Sequence, residues 1–281
     1  MCIQYTRRLA RDLKRWVHED SPLGDVTTDA VFWSKEDSEK IMDIQARSRV
    51  YVVCPSLIEG ALGALGLEPE FIAPAGWTQG VVVSVRGLTK ELLMFERTLL
   101  NFLIHVFSIS TEVRRVRELL DSSGFKNVRV AVTRKTVPGM RLWAKLFARA
   151  AGADTHRLSL SDMILIKDTH INAYGDLLGA VRAAKENASF THKIEVEVSS
   201  EEEAFEVLPY VDAIMLDNVG PEEAKRIACK LKEAKPSIIV EVSGGINREN
   251  VLQYVNECVD VVSMGYLTLS PPLVDLGAEI R

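Results

Sequence analysis

Between residues 133 and 171 the chain sets Arg134, Lys135, Arg141, Lys145, Arg149, Arg157 and Lys167 against only Asp154, Asp162 and Asp168, although the chain as a whole carries a formal charge of −5. Cations gathered against the overall balance suit a small anion. Arginine can hold a phosphate or carboxylate with two parallel hydrogen bonds. His156 sits beside Arg157, where it is either a structural histidine or a ligand-contacting group. Arg141, Lys145 and Arg149 recur every four residues along one expected helix, and the last two read as its solvated face.

Oxygen chemistry is offered by Glu197 and Asp217, acids on successive apolar runs that suit ribose hydroxyls or a divalent cation. In Ile194-Glu195-Val196-Glu197-Val198 the strand alternation puts Glu195 on the same face as Glu197. Either both carboxylates face solvent, or one supports the other in a buried pair that needs Lys135 and Lys167 as counter-charges. Ser243-Gly244-Gly245 and Gly265 form turns after the last two apolar runs. Glycine there lets backbone N–H groups approach a phosphate closely.

The elements that must position these groups change character along the chain. Leu9, Leu13, Trp16 and Val17 predict an amphipathic helix over 6–18 that ends in a turn at 20–25. Strands follow at 41–46 and 50–54, a helix at 56–65 and a β pair at 70–73 and 80–85. Helices are expected at 90–106 and 111–120. This first part is α+β. After Gly124, strands at 128–132, 163–166, 194–198, 213–216, 238–242 and 261–263 alternate with helices at 141–151, 176–188, 200–207, 221–234 and 248–255. A short extra strand is expected near 156–159. Repeated βα units give a parallel sheet, either doubly wound or closed or nearly closed into a barrel. Thr133-Arg134-Lys135, Lys167-Asp168, Glu197, Asp217-Asn218, Ser243-Gly244-Gly245 and Gly265 follow or close the C-terminal ends of those strands. In a βα barrel that is the active-site face.

At 281 residues, 47% hydrophobic and 26% charged, the composition is that of a globular protein. A pI near 5.7 without a long basic tract argues against nonspecific nucleic-acid binding. Cys2, Cys54, Cys229 and Cys258 form no CxxC pair, so reduced thiols are expected, with neither a zinc site nor a disulfide framework. The charged N-terminal stretch lacks a signal-peptide core, and no window is expected to approach the ~20 apolar residues of a membrane span. These features predict a cytoplasmic protein without membrane or nucleic-acid partners.

The motifs TRKTVPGMR, THRLSLSDMILIKDTHI, IEVEV, DAIMLDN, EVSGGI and VSMGYLTLS, with GDVTT at 24–28 and FERTLLNFL at 95–103, resemble in order those of the nicotinate-nucleotide pyrophosphorylase, or quinolinate phosphoribosyltransferase, family. The resemblance implies an N-terminal α+β sandwich domain (1–108) and an incomplete, about seven-stranded parallel α/β barrel (109–281), whose last residues are expected to pack back on the first domain. It implies at least a homodimer, in which Arg97 reaches the neighbouring site. The implied reaction joins quinolinate to 5-phosphoribosyl 1-diphosphate with Mg2+, yielding nicotinate mononucleotide, CO2 and diphosphate.

By the same resemblance, Arg97, Arg134, His156, Arg157 and Lys167 would hold the quinolinate carboxylates, with Lys135 near substrate and diphosphate. Glu197 and Asp217 would engage ribose and Mg2+. Ser243, Gly244, Gly245, Gly265 and Tyr266 would surround the 5′-phosphate. The chain departs from the family pattern at Phe107-Ser108, at Ala151-Gly152-Ala153-Asp154, at Asp168-Thr169-His170, and at Tyr266 and Leu269. Alternatives are a related ModD-type transferase with another acceptor, a Schiff-base lyase using Lys167, and a silent nucleotide-binding paralogue.

Overall fold

A computed structural model describes residues 2–281, with side chains from Gln4 onward. The chain divides into two compact units, residues 1–112 with 271–281, and residues 113–270.

The first unit is built on a four-stranded antiparallel sheet of order β10-β1-β3-β2. β1 (Glu39–Val52), β2 (Glu68–Ile72) and β3 (Gly76–Leu88) are joined by β10 (Leu276–Ile280) from the end of the chain, which the sequence did not reveal as a strand. Met42, Ile44, Ala46, Val50 and Val52 alternate into the core. The two runs expected at 41–46 and 50–54 are one strand, with a register shift between Ala46 and Val50 that makes them look separate. Leu9, Leu13 and Val17 bury one face of the helix Thr6–Asp20. Within GDVTT, Asp25 accepts hydrogen bonds from the amides of Thr27 and Thr28 at 3.0 and 3.1 Å. It thereby caps a short helix, Val26–Val31.

The helices expected at 90–106 and 111–120 are one helix, Thr89–Ser122, 34 residues long. Ser108 does not interrupt it, because its hydroxyl donates back to the Ile104 carbonyl at 2.6 Å. The unit boundary at 112/113 lies inside this helix, as does the expected boundary at 108/109. An 18-residue window of mean hydropathy 1.5 makes the helix long and apolar enough to cross a membrane by length and composition, against the expectation that no window would. Over half of that window is buried, and Leu99, Leu100, Phe102, Leu103, Val106 and Phe107 pack as core.

The second unit holds six parallel strands: β4 (Arg129–Val132), β5 (Ile164–Ile166), β6 (Ile194–Val198), β7 (Ala213–Asp217), β8 (Ile239–Ser243) and β9 (Val261–Met264), in the order β4-β9-β8-β7-β6-β5. β4 and β5 are the open edges of an incomplete barrel. The extra strand expected at 156–159 does not form among the described residues, and the one pairing nearby is a single bridge between Ala131 and Asp154. The reason is local: His156 has φ 48°, a left-handed conformation that cannot continue an extended strand. Strand register places Glu197 beside Met215, Met215 beside Glu241, and Asp217 beside Ser243 on the inner face. Val196, Ile214, Val240 and Val262 on the other face are completely buried.

The cysteines depart from expectation. Cys229, on the helix Pro221–Ala234, is bonded to Cys258, and Cys54 is also disulfide-bonded. Near-neighbour spacing misses such pairs, because the fold brings together thiols 29 residues apart.

Candidate active site at the barrel mouth

A cavity of about 400 Å³ opens among the C-terminal ends of the barrel strands. The turn after β4 supplies Arg134 and Lys135, the segment after Asp154 supplies His156 and Arg157, and the end of β5 supplies Lys167. Asp168, Glu197, Asp217 and Glu241 face them. An adjoining cavity of about 270 Å³ is lined by Gly244, Gly245, Gly265, Tyr266 and Leu269. Thr133, Lys135, Ser243 and Ser263 line both, so Lys135 stands where the cavities meet.

The cationic wall has unused donors. Arg134 Nε and Arg157 Nε are buried without a hydrogen-bond partner among the described residues. Burial and the neighbouring Arg134 hold the pKa of Arg157 below its ordinary value. An anion bound here would supply both the missing acceptors and the missing counter-charge. Lys167 Nζ, in contrast, is ion-paired with Glu197. Asp217 accepts from Asn218 Nδ2 at 2.7 Å.

The glycine cavity is shaped by close approaches. A Cβ on Gly265 would come within 2.8 Å of Lys135 Cδ, so a larger residue at 265 would push the lysine stem from its path across the turn. Gly244 has φ +99°, and a Cβ there would lie 2.6 Å from the Asn218 amide nitrogen. Thr268 Oγ1 donates to the Lys135 carbonyl at 2.8 Å, and the Tyr266 hydroxyl accepts the Arg248 amide at 3.2 Å. Two cavities of this kind, one walled by guanidinium groups and one by glycine turns, fit a pair of anionic substrates.

Comparison with known proteins narrows the class. Residues 109–279 match the model of the quinolinate phosphoribosyl transferase C-terminal domain. The chain belongs to the quinolinate phosphoribosyltransferase family. It is 38% identical over 274 residues to a probable carboxylating nicotinate-nucleotide pyrophosphorylase of Methanocaldococcus jannaschii, covering 95% of each chain. Against the carboxylating nicotinate-nucleotide pyrophosphorylase of Rattus norvegicus the identity is 32%, covering 97% of this chain and 91% of the rat protein. The crystal structure of NadC from Streptococcus pyogenes superposes with a TM-score of 0.84 at 30% identity, covering 98% of both chains.

For this quinolinate phosphoribosyltransferase family member, the barrel mouth gathers most residues the motifs single out. Arg134, Lys135, His156, Arg157, Lys167, Glu197 and Asp217 line the larger cavity, Ser243 lines both, and Gly244, Gly245, Gly265 and Tyr266 line the smaller. Arg97 lines neither and is exposed on the part of the helix Thr89–Ser122 that belongs to the first unit.

His156 makes contacts the motifs do not suggest. Its Nε2 lies 3.2 Å from Glu195 Oε2 and 3.3 Å from Glu241 Oε2, both acids being buried. Burial disfavours charge on His156, but the hydrogen bonds with Glu195 and Glu241 outweigh it and push the pKa up to about 10. Burial also raises that of Glu195. The Arg157 amide donates to His156 Nδ1 at 2.8 Å, which needs a lone pair there. The proton this cluster retains therefore belongs to the three groups jointly. The same bond argues against a metal on this triad, since it leaves the hydrogen on Nε2.

Glu241 and Ser263 were missed as site residues. A signal for Glu241 existed: Glu241 in IIVEVS is an acid inside an apolar strand, like Glu195 in IEVEV. Lys145, read as solvated, is completely buried on the helix Arg141–Ala150, whose residues from Trp143 to Ala148 are all buried.

Proposed function

We propose that the protein transfers the phosphoribosyl group of 5-phosphoribosyl 1-diphosphate to quinolinate with loss of CO2, giving nicotinate mononucleotide and diphosphate for NAD biosynthesis. The observation that carries this reading is the pairing of the two cavities: buried guanidinium donors without partners in one, glycine turns in the other, and Lys135 between them.

In this reading Arg134, Arg157 and Lys167 hold the two carboxylates of the pyridine, and His156 forms the floor. Ser243, Gly244, Gly245 and Gly265 receive the 5′-phosphate, with Tyr266 at its border. Lys135 draws off negative charge where diphosphate departs. Glu197 leaves Lys167 as the acceptor carboxylate replaces it, and then joins Asp217 on the ribose side. The C1–O bond to diphosphate breaks, the pyridine nitrogen bonds to C1, and the resulting pyridinium takes up the electron pair released as the 2-carboxylate leaves as CO2. A proton then occupies the ring carbon.

Glu197 and Asp217 offer hard oxygen ligands, with Asp168 and Glu203 lining the same recess, a donor set that fits Mg2+. Bound there, directly or through water, Mg2+ would neutralise charge on the leaving diphosphate. In the same reading the chain works in the cytoplasm as a homodimer or larger homo-oligomer, with Arg97 reaching the neighbouring site. A Schiff-base lyase is less well supported, because Glu197 occupies the Lys167 amine as an ion-pair partner.

Arg134→Ala and Lys167→Ala test the roles assigned here. Each should lower kcat/KM for quinolinate by roughly 100-fold or more while leaving the circular dichroism spectrum unchanged. Near wild-type activity in both variants would reject the site.

A further inference from the structure

Lys145 has no place in the chemistry above, yet it is 0% exposed. Among the described residues no carboxylate pairs with it. Its Nζ donates instead to three backbone carbonyls, those of Val132 at 3.3 Å, Arg157 at 2.6 Å and Thr155. Each belongs to a segment that presents a cavity cation. Val132 ends β4 two residues before Arg134, Thr155 precedes His156, and Arg157 is itself in the wall.

This lies where the barrel lacks a strand. Asp154 makes the single bridge to β4. Beyond it the left-handed backbone of His156 leaves the carbonyls of Thr155 and Arg157 without a ladder to join. Lys145 supplies their donor from the adjoining helix. Since it does not line the cavity, it touches no substrate.

We propose that Lys145 is a positioning residue, whose ammonium ties the end of β4 to the segment 155–157 and thereby sets the spacing of Arg134 and Arg157, which hold the acceptor's carboxylates, above the floor that His156 forms. This rests on the acceptor assignment made above. An ammonium has three N–H donors for three carbonyls, whereas a neutral amine has two donors and a lone pair aimed at an oxygen. Burial, with Arg141 on its own helix and Arg134 across the cavity wall, brings the Lys145 pKa down to about 8, while Asp162 and Asp154 oppose that shift. The tether is therefore complete below pH 8 and loses a donor as pH rises through it.

The test compares wild type, Lys145→Arg and Lys145→Met by quinolinate kinetics from pH 6.5 to 9.5, and by amide hydrogen exchange of residues 154–158 at pH 7. In wild type, KM for quinolinate should rise by about tenfold across pH 8, with a smaller change in kcat. Lys145→Arg stays charged and should lose that alkaline limb. Lys145→Met should show the high KM at every pH, and faster exchange at 154–158. If Lys145→Met does not fold, the limb and the exchange in Lys145→Arg decide the matter. An unchanged limb in Lys145→Arg, or wild-type KM and exchange in Lys145→Met, would overturn the proposal. If wild type itself ignores quinolinate, the acceptor assignment fails. Exchange then decides the tether alone: protection lost in Lys145→Met and kept in Lys145→Arg supports it, and equal protection overturns it.

Discussion

Glu195 and Glu241 bring two carboxylates into the barrel interior, and a single imidazole nitrogen serves both within 3.3 Å. Removing that donor strands buried charge, so His156→Ala should cost about 2–4 kcal/mol in urea unfolding at pH 7. The pH dependence has a defined sign. The proton that His156, Glu195 and Glu241 share is held up to about pH 10, above the ordinary 6.5 of an imidazole. The stabilisation is therefore full below pH 6.5, shrinks as pH rises, and is gone above about pH 10. A His156→Ala variant whose deficit from wild type stays constant from pH 6 to 10 would contradict this. Alternation in IEVEV was enough to put Glu195 and Glu197 on one face. It could not show that Glu195 turns to His156, because that contact depends on a positive φ at a non-glycine residue. Lys145 was illegible for a related reason. A four-residue spacing of cations marks a solvated stripe only on a helix with one wet side, and this helix is covered around Lys145.

Strands and helices were easier to read than the joins between them. β6 begins and ends as the sequence predicts, at Ile194 and Val198, because a fully buried parallel strand reads as an uninterrupted apolar run apart from its inward acids. The single helix Thr89–Ser122 was split in reading because Ser108 and Ser110 mimic a break, and nothing local shows that their hydroxyls bond to Ile104 and Tyr51 carbonyls. Contacts distant in sequence were lost altogether. The Cys229–Cys258 bond fastens the helix Pro221–Ala234 to the approach to β9, closing a loop of 29 residues. Cys258→Ser should lower unfolding free energy by about 3 kcal/mol. An equal stability of wild type and variant under non-reducing conditions would show that the bond adds nothing.

For the whole molecule, the sequence resemblance is what suggested that a working site needs two chains. Arg97 is exposed on the first unit and lines neither cavity, so its assigned role is tested only in an assembly. Arg97→Ala and Arg134→Ala should each be inactive alone. Mixed in equal amounts after dissociation and reassembly, they should recover about a quarter of wild-type activity, since one site in each mixed dimer then has both arginines. No recovery despite proven exchange of subunits would place Arg97 outside the partner's site. Turnover by the unaltered protein tests the reaction itself. The most direct measurement is the simultaneous release of CO2 and formation of nicotinate mononucleotide from quinolinate, 5-phosphoribosyl 1-diphosphate and Mg2+, with nicotinate as a parallel acceptor. Equal amounts of both products from quinolinate, and none from nicotinate, are expected. Transfer to nicotinate, or donor binding with no product from quinolinate, would contradict the assignment.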